Sequence, residues 1–596
     1  MDRKRKNIKN FYRGYPLRNR ELARSFREFT DLRDMLRTSS EKYGFRVAFI
    51  TKTKDESGAP QYIYTTYKKL FYEVNCVGSA LLDMGLGGEN IALIGENSYK
   101  WCLSYFAVAC GLGVIVPLDR LIQKEELESM LQRSGARAIF CDKRRYEIVK
   151  EVFDDGKTDL EYVIGLDFVP DGGLSMVDLI IRGEELCLDG YKEYAERPID
   201  REALACLLFT SGTTSKSKAV MLSQKNIMAV NYGMNLVEEF TPQDVSLMIL
   251  PLHHCYGMGG VLTFISQGMS IAFTDGLKHI TENLREYKVT VLLTVPLLVE
   301  TIYKRIMKTA EKQGKLAQVQ MARKFCDAAD RFGIGTNVRR RVFSSIIDQL
   351  GGHLRFIVNG AAPINPEVSR GFNEFGILTV QGYGLSECAP TVASEYVGHV
   401  KPGSCGMALP NIETRIEDPD ENGIGELCVR GDNVMMGYSG DEEATREVIS
   451  EDGWFHTGDL GYFDKDNYLW ITGRKKNVIV LKSGKKVFPE EIETLVNFLP
   501  YVQESMVFSR IWCGDISLWV KVVYSDAYLA QNNLTVEDLE KIFARDLERI
   551  NATLPRFKAI RHFYLSDRPT VKTTTQKTKR NQERVEIEKE LEERGM

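Results

Sequence analysis

From about Thr65 the chain alternates short apolar runs with helix-length amphipathic segments, and this alternation restricts the fold more than any single residue does. NIALIGEN, VIVPL, ARAIFCD, LEYVIGL, LACLLFT, VSLMILPL, VTVLLTVP and LRFIVNG are brief β-branched or aliphatic runs, the pattern of strands covered on both faces. Between the runs, YTTYKKLFYEVNCVGSALLDMGL sets Leu70, Val74, Val77, Ala80 and Leu81 at three-and-four spacing, and WCLSYFAVACGLG reads as a second helix. Repeated units of this kind predict an α/β fold: a large N-terminal domain of mainly parallel sheets flanked by helices.

A chain of 596 residues is several times the ~100–200 of one domain, so a second core is expected. After Gly473 the units shorten to KKNVIVLKSGKKVFPEEIETLV, SLWVKVVYSD and EDLEKIFARDLERINATL, the pattern of a small α+β domain over 475–596. The large domain then covers 31–474. Within it, 300–352 is charged and strand-free and reads as a solvated helical insertion, and residues 1–30 form a basic lead-in. Two uncharged stretches, 101–118 and 245–274, are interrupted by Gly111, Pro117, Pro251, His253, His254 and Gln267, breaks that would be costly in hydrocarbon. Neither reads as transmembrane, which leaves peripheral membrane contact open. The 78 Lys and Arg against 82 Asp and Glu exclude a global basic field and with it nucleic acid as the main partner. The twelve scattered cysteines include no CxxC pair and fit reduced thiols in a cytoplasm.

The most informative segment is LLFTSGTTSKSKAVMLSQKN, 207–226. A buried strand runs into small hydroxyl residues around one glycine, so that amides, hydroxyls and lysines can converge on phosphate oxygens. It is not a GxxxxGK[ST] loop. Four further segments accompany it: FIVNGAAPINPE (356–367), VQGYGLSECAP (380–390), DGWFHTGDLGYFDKDNYLWITGRKKNVIVL (452–481) and KTTTQKTKR (572–580).

Together, and in this order, the five segments resemble the signature segments of the adenylate-forming superfamily of acyl-CoA synthetases, luciferases and peptide-synthetase adenylation domains. The resemblance runs from about Leu32 to Arg580 and is strongest to the long-chain fatty acyl branch. It implies a distorted barrel beside the sheets, a mobile C-terminal lid, and ATP-dependent activation of a medium- or long-chain fatty acid to acyl-AMP, then thioester formation with coenzyme A. Thr210, Ser211, Gly212, Thr213, Thr214 and Lys218 would hold the β- and γ-phosphates. Tyr383, with Gly382 and Gly384, would stack on adenine opposite Gly360, Ala361 and Ala362; Ser386 would meet the α-phosphate and Glu387 would ligate Mg²⁺. Asp459 and Arg474 would bind the ribose, and Lys577 would bridge carboxylate and α-phosphate. Lys476 would be the hinge, Ser483 and Gly484 would face the coenzyme A tunnel, and His254 would gate the acyl and thiol sites.

Departures from the pattern are Ser215, Ser217, Ala219, Asn477 and Gln576. If position 219 requires a positive φ, alanine there costs roughly 1 kcal/mol. Two alternatives stay open at this point: a ligase that acylates an acyl carrier protein in trans, and a weakly active nucleotide-binding regulator.

Overall fold

The computed structural model describes residues 26–210, 217–330, 336–512, 515–572 and 578–595, with backbone alone at 327–330 and 336–337. The chain divides into two compact units. One comprises Met1–Thr210, Lys218–Thr414 and Val429–Phe455; the other comprises Ser211–Ser217, Arg415–Cys428 and His456–Met596. The boundary expected at residue 474 therefore falls inside the second unit, because the strands carrying Asp459 and Arg474 group with the C-terminal segments.

All eight strands expected from the apolar runs are present in the first unit, distributed over two sheets. In the nine-stranded sheet, Phe49 to Gly384 are joined by parallel pairs through Ser270–Phe273, Val245–Met248, Val291–Thr294, Phe356–Asn359 and Leu378–Gly384. Antiparallel pairs occur only toward its edges, at Val47–Lys54 with Pro60–Thr66 and at Thr391–Ser394 with its two neighbours. The eight-stranded sheet is parallel from Leu204–Thr210 outward through Val114–Leu118 to Leu174–Ser175, and antiparallel where Leu204–Thr210 meets Lys218–Ser223. The expected mainly parallel architecture with flanking helices is what the chain forms.

Local chemistry accounts for the elements. Val114–Leu118 is buried at every position, as an apolar run covered on both faces must be. Its Pro117 has no amide to donate, and the ladder to Leu204–Thr210 is reduced to one register pair, Ile115 with Cys206. Helix Tyr67–Asp83 starts where the Thr66 hydroxyl accepts from the Lys69 amide, and it buries Leu70, Val74, Val77, Ala80 and Leu81. Gly78 is required there because a Cβ would lie 2.1 Å from the ring of Tyr194.

The described residues of 300–352 are mainly helical, as expected, but they are not wholly solvated. Ile306, Cys326, Phe343, Ile346 and Ile347 pack with Phe372 and Phe375 in one core cluster, because each short helix carries enough apolar residues on one side to bury a stripe. The uncharged stretches at 101–118 and 245–274 are each cut into helix and strand, and among the described residues no helix is long and apolar enough to cross a membrane.

The second unit holds most of a four-stranded sheet, ordered Glu413–Glu417, Gly425–Arg430, Phe455–Phe463, Leu469–Arg474. Its three-stranded sheet, Val502–Trp512, Asp515–Tyr524 and His562–Ser566, packs against helices through Ile492, Val507, Val520 and Phe543. Helix Arg580–Glu593 docks through Ile587 and Leu591. Beneath it Lys521, fully buried, lies 2.8 Å from Glu583 and 3.2 Å from Glu590, and the Tyr564 hydroxyl donates to Glu590. Removing the cation leaves Glu583 buried without its counter-ion, while Glu590 keeps Arg568 2.6 Å away. Lys521→Met is expected to cost about 3–5 kcal/mol and to release the C-terminal helix, read as a lowered urea midpoint and as new cleavage near residue 580 in limited proteolysis.

Candidate active site

In the first unit the segments singled out from the sequence leave the C-terminal ends of parallel strands, where open α/β sheets place their ligands. Strand Phe356–Asn359 ends on fully buried Asn359, whose side-chain amide donates to Gln381 Oε1 at 2.8 Å. The Gln381 amide donates to the Ala362 carbonyl at 3.0 Å, and its carbonyl accepts from the Ile364 amide. One side chain thus ties the 360–363 turn to the strand leading into Gly382, Tyr383 and Gly384. Neither Gln381 nor Asn359 was picked out by sequence reasoning. Their signal, an amide one residue before each glycine, is legible only once the two strands are known to be neighbours.

The glycines have separate reasons. A Cβ on Gly384 would lie 2.1 Å from the Pro390 carbonyl oxygen, and one on Gly360 would lie 2.8 Å from the Tyr256 ring. Ala361 adopts φ 70°, a left-handed conformation that costs an L-residue roughly 1–2 kcal/mol. Tyr383 is partly exposed, not a core tyrosine, and Ala361 and Ala362 are exposed beside the same strand ends.

Ser386 and Glu387 lie in a short 3-10 turn. The Cys255 thiol lies 3.4 Å from Ser386 Oγ. The Tyr438 hydroxyl donates to Glu387 Oε1 at 3.0 Å, and the Lys218 ammonium sits 4.3 Å over the Tyr438 ring. Burial first, and the Glu387 charge second, raise the Tyr438 phenol, which keeps it a donor. Tyr438 was missed because nothing near residue 438 in the sequence marks it; the antiparallel pairing of Gly437–Tyr438 with Lys218–Ser223 delivers it.

Thr210 and Lys218 are register partners at the mouth of a hairpin. Ser211, Gly212, Thr213, Thr214, Ser215 and Lys216 lie outside the described residues, as do Gln576 and Lys577. Ala219 is a buried strand residue and is not among the positive-φ positions, so the strain considered for it does not arise.

His254 caps the start of helix Cys255–Ser266 with extended backbone, its ring 4.1 Å from that of His253. Asn97 pins this turn by donating to the Leu250 carbonyl and accepting from the Leu252 amide. Burial, then the His254 charge, push the His253 imidazole down to about 3, so it is neutral at pH 7; Asp119, 3.6 Å away, acts in the other direction.

Helix Cys255–Ser266 walls a mainly apolar cavity lined by Met234, Phe240, Tyr256, Gly259, Phe264 and Thr391. Gly259 also lines a second, smaller space with Pro117, Leu208 and Met258. Gly260 is small of necessity, since a Cβ would lie 2.2 Å from Leu293 Cδ2. Helix Cys255–Ser266 is thus partly lining and partly core.

In the second unit, Asp459 and Arg474 are register partners, with Arg474 Nε 3.1 Å from Asp459 Oδ1. Lys476 lies in the turn Lys475–Asn477, and Asn477 donates to Glu490. Ser483 and Gly484 form an exposed turn in which Gly484 has φ 76° and open space at its Cβ position, so the turn geometry rather than crowding calls for glycine here. Lys572 is held 2.8 Å from Glu504, and its bridge to Thr578 frames 573–577.

One buried acid adjoins the first unit's cavity. Glu238, between the lining residues Met234 and Phe240, accepts from Ser394, while its Oε2 has no hydrogen-bond partner. Burial raises this carboxyl to about 8, with the Ser394 hydroxyl opposing. The folded chain then holds a proton that the unfolded chain has released, so stability falls as pH rises from about 4.5 to about 8 and is flat above. Glu238→Gln should remove this slope. By urea unfolding at stepped pH the variant is expected to be more stable than the parent at pH 8.5, by on the order of a few kcal/mol, with the gap closing as pH falls towards 4.5.

The chain is similar to known proteins over most of its length. Fatty acyl-CoA synthetase A of Dictyostelium discoideum is 28% identical over 556 residues, 85% of this chain and 81% of its own. Long-chain-fatty-acid–CoA ligase 5 of Rattus norvegicus is 30% identical over 73% of this chain and 67% of its own. Among solved structures, the anthranilate CoA ligase AuaEII with anthranoyl-AMP superposes with a TM-score of 0.72 at 19% identity, covering 95% of this chain and 99% of that one. The Mycobacterium tuberculosis fatty acyl CoA synthetase gives 0.61, also at 19% identity, covering 92% and 96%. The family model for AMP-binding enzymes matches residues 36–439, which span both sheets and every first-unit segment described above. The chain belongs to the AMP-binding enzyme family.

Proposed function

We propose that the chain is an AMP-forming acid–thiol ligase that activates a long-chain fatty acid with ATP and transfers the acyl group to coenzyme A. The observation that carries this reading is the position of Tyr256. Its ring packs against Gly360 on the nucleotide side and also lines the apolar cavity walled by helix Cys255–Ser266. An acyl chain in that cavity would bring its carboxylate to the strand ends that carry Gly382 to Glu387.

In the first step a carboxylate oxygen attacks the α-phosphorus and the bond to pyrophosphate breaks. The work of this chain is to hold reactants in line and to offset negative charge. Lys218, with Thr210 and the 211–214 segment, binds the outer phosphates, and the Tyr438 hydroxyl orients Glu387. Mg²⁺ prefers the oxygen donors that Glu387 offers and supplies charge neutralisation between phosphates when bound. Ser386 meets the α-phosphate, Tyr383 stacks on adenine beside Ala361 and Ala362, and Asp459 with Arg474 takes the ribose. Lys577 carries the charge that bridges carboxylate and α-phosphate; the nearby Lys572 is engaged by Glu504. In the second step the coenzyme A sulfur attacks the acyl carbon, AMP leaves, and the thiol proton passes to solvent. Lys476 is the hinge between the steps, Ser483 and Gly484 face the thiol's approach, and His254 stands between acyl and thiol sites. A cytoplasmic setting fits the free thiols found at the described cysteines.

Three measurements test this. Purified protein with ATP and Mg²⁺ should release pyrophosphate in proportion to added long-chain acid, with coenzyme A acylated in preference to a holo carrier protein; no release with any acid overturns the reading. Lys577→Ala should lower adenylation by about 10²–10³-fold while leaving thioester formation from supplied acyl-adenylate intact. Gly259→Leu, which fills the space shared by both cavities, should lower kcat/KM for long acids by at least ~10-fold and spare short ones.

A further inference from the structure

Three neighbouring strands of the four-stranded sheet each turn a metal-ligating side chain towards one point. Glu417 closes strand Glu413–Glu417, Cys428 lies within Gly425–Arg430, and His456 is the second residue of Phe455–Phe463. All three belong to the second unit. Nδ1 of His456 is 3.1 Å from Glu417 Oε2 and 3.5 Å from Cys428 Sγ, and Cys428 Sγ is 3.6 Å from the same carboxylate oxygen. A fourth donor stands alongside: Glu426, two residues before Cys428 and so on the same face of its strand, has Oε2 3.9 Å from His456 Nδ1.

These separations can be compared with those a metal ion imposes. Zinc bonds of about 2.0–2.1 Å to nitrogen or oxygen and about 2.3 Å to sulfur, at tetrahedral angles, set neighbouring N and O ligands about 3.3 Å apart and sulfur about 3.6 Å from either. The three observed distances follow that order and those lengths, with the two sulfur edges the longer. The donor set of one thiol, one imidazole and carboxylates suits zinc and its borderline-soft neighbours better than Mg²⁺ or Ca²⁺, which prefer all-oxygen shells.

The surroundings support the trio as a ligand set. Arg415 holds Glu417 through its other oxygen at 2.5 Å, so this carboxylate is oriented by a partner outside the cluster, whereas Lys475 holds Glu426 at 2.7 Å through the same Oε2 and must give way if Glu426 ligates. Cys428 is fully buried, whereas the His456 and Glu417 side chains are 26% and 30% exposed, which leaves an approach from solvent. Thiolate and carboxylate together neutralise a divalent charge, which offsets the repulsion from Arg415 and Lys475.

We propose that Glu417, Cys428 and His456 form a binding site for a zinc-type divalent cation, with water or Glu426 completing the tetrahedron. On binding, the Cys428 thiol loses its proton to solvent as the sulfur–metal bond forms, the neutral imidazole donates its Nδ1 lone pair, and no electron is transferred. The proposal does not depend on the proposed ligase chemistry. It would clamp three strands just ahead of Asp459, which lies three residues beyond His456 on the same strand.

The test uses the full-length protein after chelator treatment, titrated with Co²⁺ at neutral pH. The expected result is a near-ultraviolet thiolate-to-cobalt charge-transfer band with visible bands of tetrahedral intensity, saturating at one equivalent and discharged by Zn²⁺. The band should vanish in Cys428→Ser, and Glu417→Gln should weaken binding at least ~10-fold. His456→Asn serves as the second variant if Cys428→Ser does not fold by circular dichroism. Absence of the charge-transfer band in the parent overturns the proposal, and so does a band that survives both Cys428→Ser and His456→Asn, which would assign the metal to another of the twelve cysteines.

Discussion

A parallel strand buried on both faces spends its backbone hydrogen bonds inside the sheet, so it can offer amides and side chains to a ligand only where it ends. In the first unit this constraint decides where chemistry can occur. Strands Val245–Met248, Val291–Thr294, Phe356–Asn359 and Leu378–Gly384 run in one direction, and the segments beginning at Pro251, Gly360 and Gly382 emerge from the same edge. The ends must then be held against one another. Asn359 and Gln381 do this from inside the sheet, where neither amide can turn to water and each therefore keeps to its partner.

The same edge is built for close approach. Gly360 lets the Tyr256 ring pass beneath the turn, Gly384 lets the chain fold back onto Pro390, and Gly260 lets its helix reach Leu293. Each is a place where one methyl group would move a wall. The resulting cavity is mainly apolar, and the buried acid Glu238, between its lining residues Met234 and Phe240 in the chain, is neutral at pH 7 because burial costs its charged form more than the Ser394 contact returns.

The second unit solves a different problem. Its small sheet needs more than apolar contact to hold the last helix, and Lys521 with Glu583 and Glu590 adds a buried ionic latch under Arg580–Glu593. A second ionic link, Arg580 to Glu493, sits at the start of the same helix, directly after the described bridge that frames residues 573–577. Charge is scarce in both cores and appears only as paired or hydrogen-bonded groups with a positional task.

Periodicity was sufficient for the parallel strands and the helix Tyr67–Asp83, because burial on two faces or one leaves a direct trace in residue order. The signature segments were equally legible, since phosphate, adenine and ribose demand particular residue types at short spacing. What stayed hidden were partners distant in the chain. Tyr438 reaches Glu387 across 51 residues, Glu238 reaches Ser394 across 156, and Cys428 meets His456 across a strand pairing that no local pattern announces. The helices of 300–352 look solvated when read alone and bury a stripe only because Phe372 and Phe375 are there to receive it. The sequence by itself determined the class of fold and the chemistry-bearing segments, because both are written in local spacing. Only the tertiary structure decided which side chains orient them, since those contacts depend on strand order and register, which local spacing does not encode.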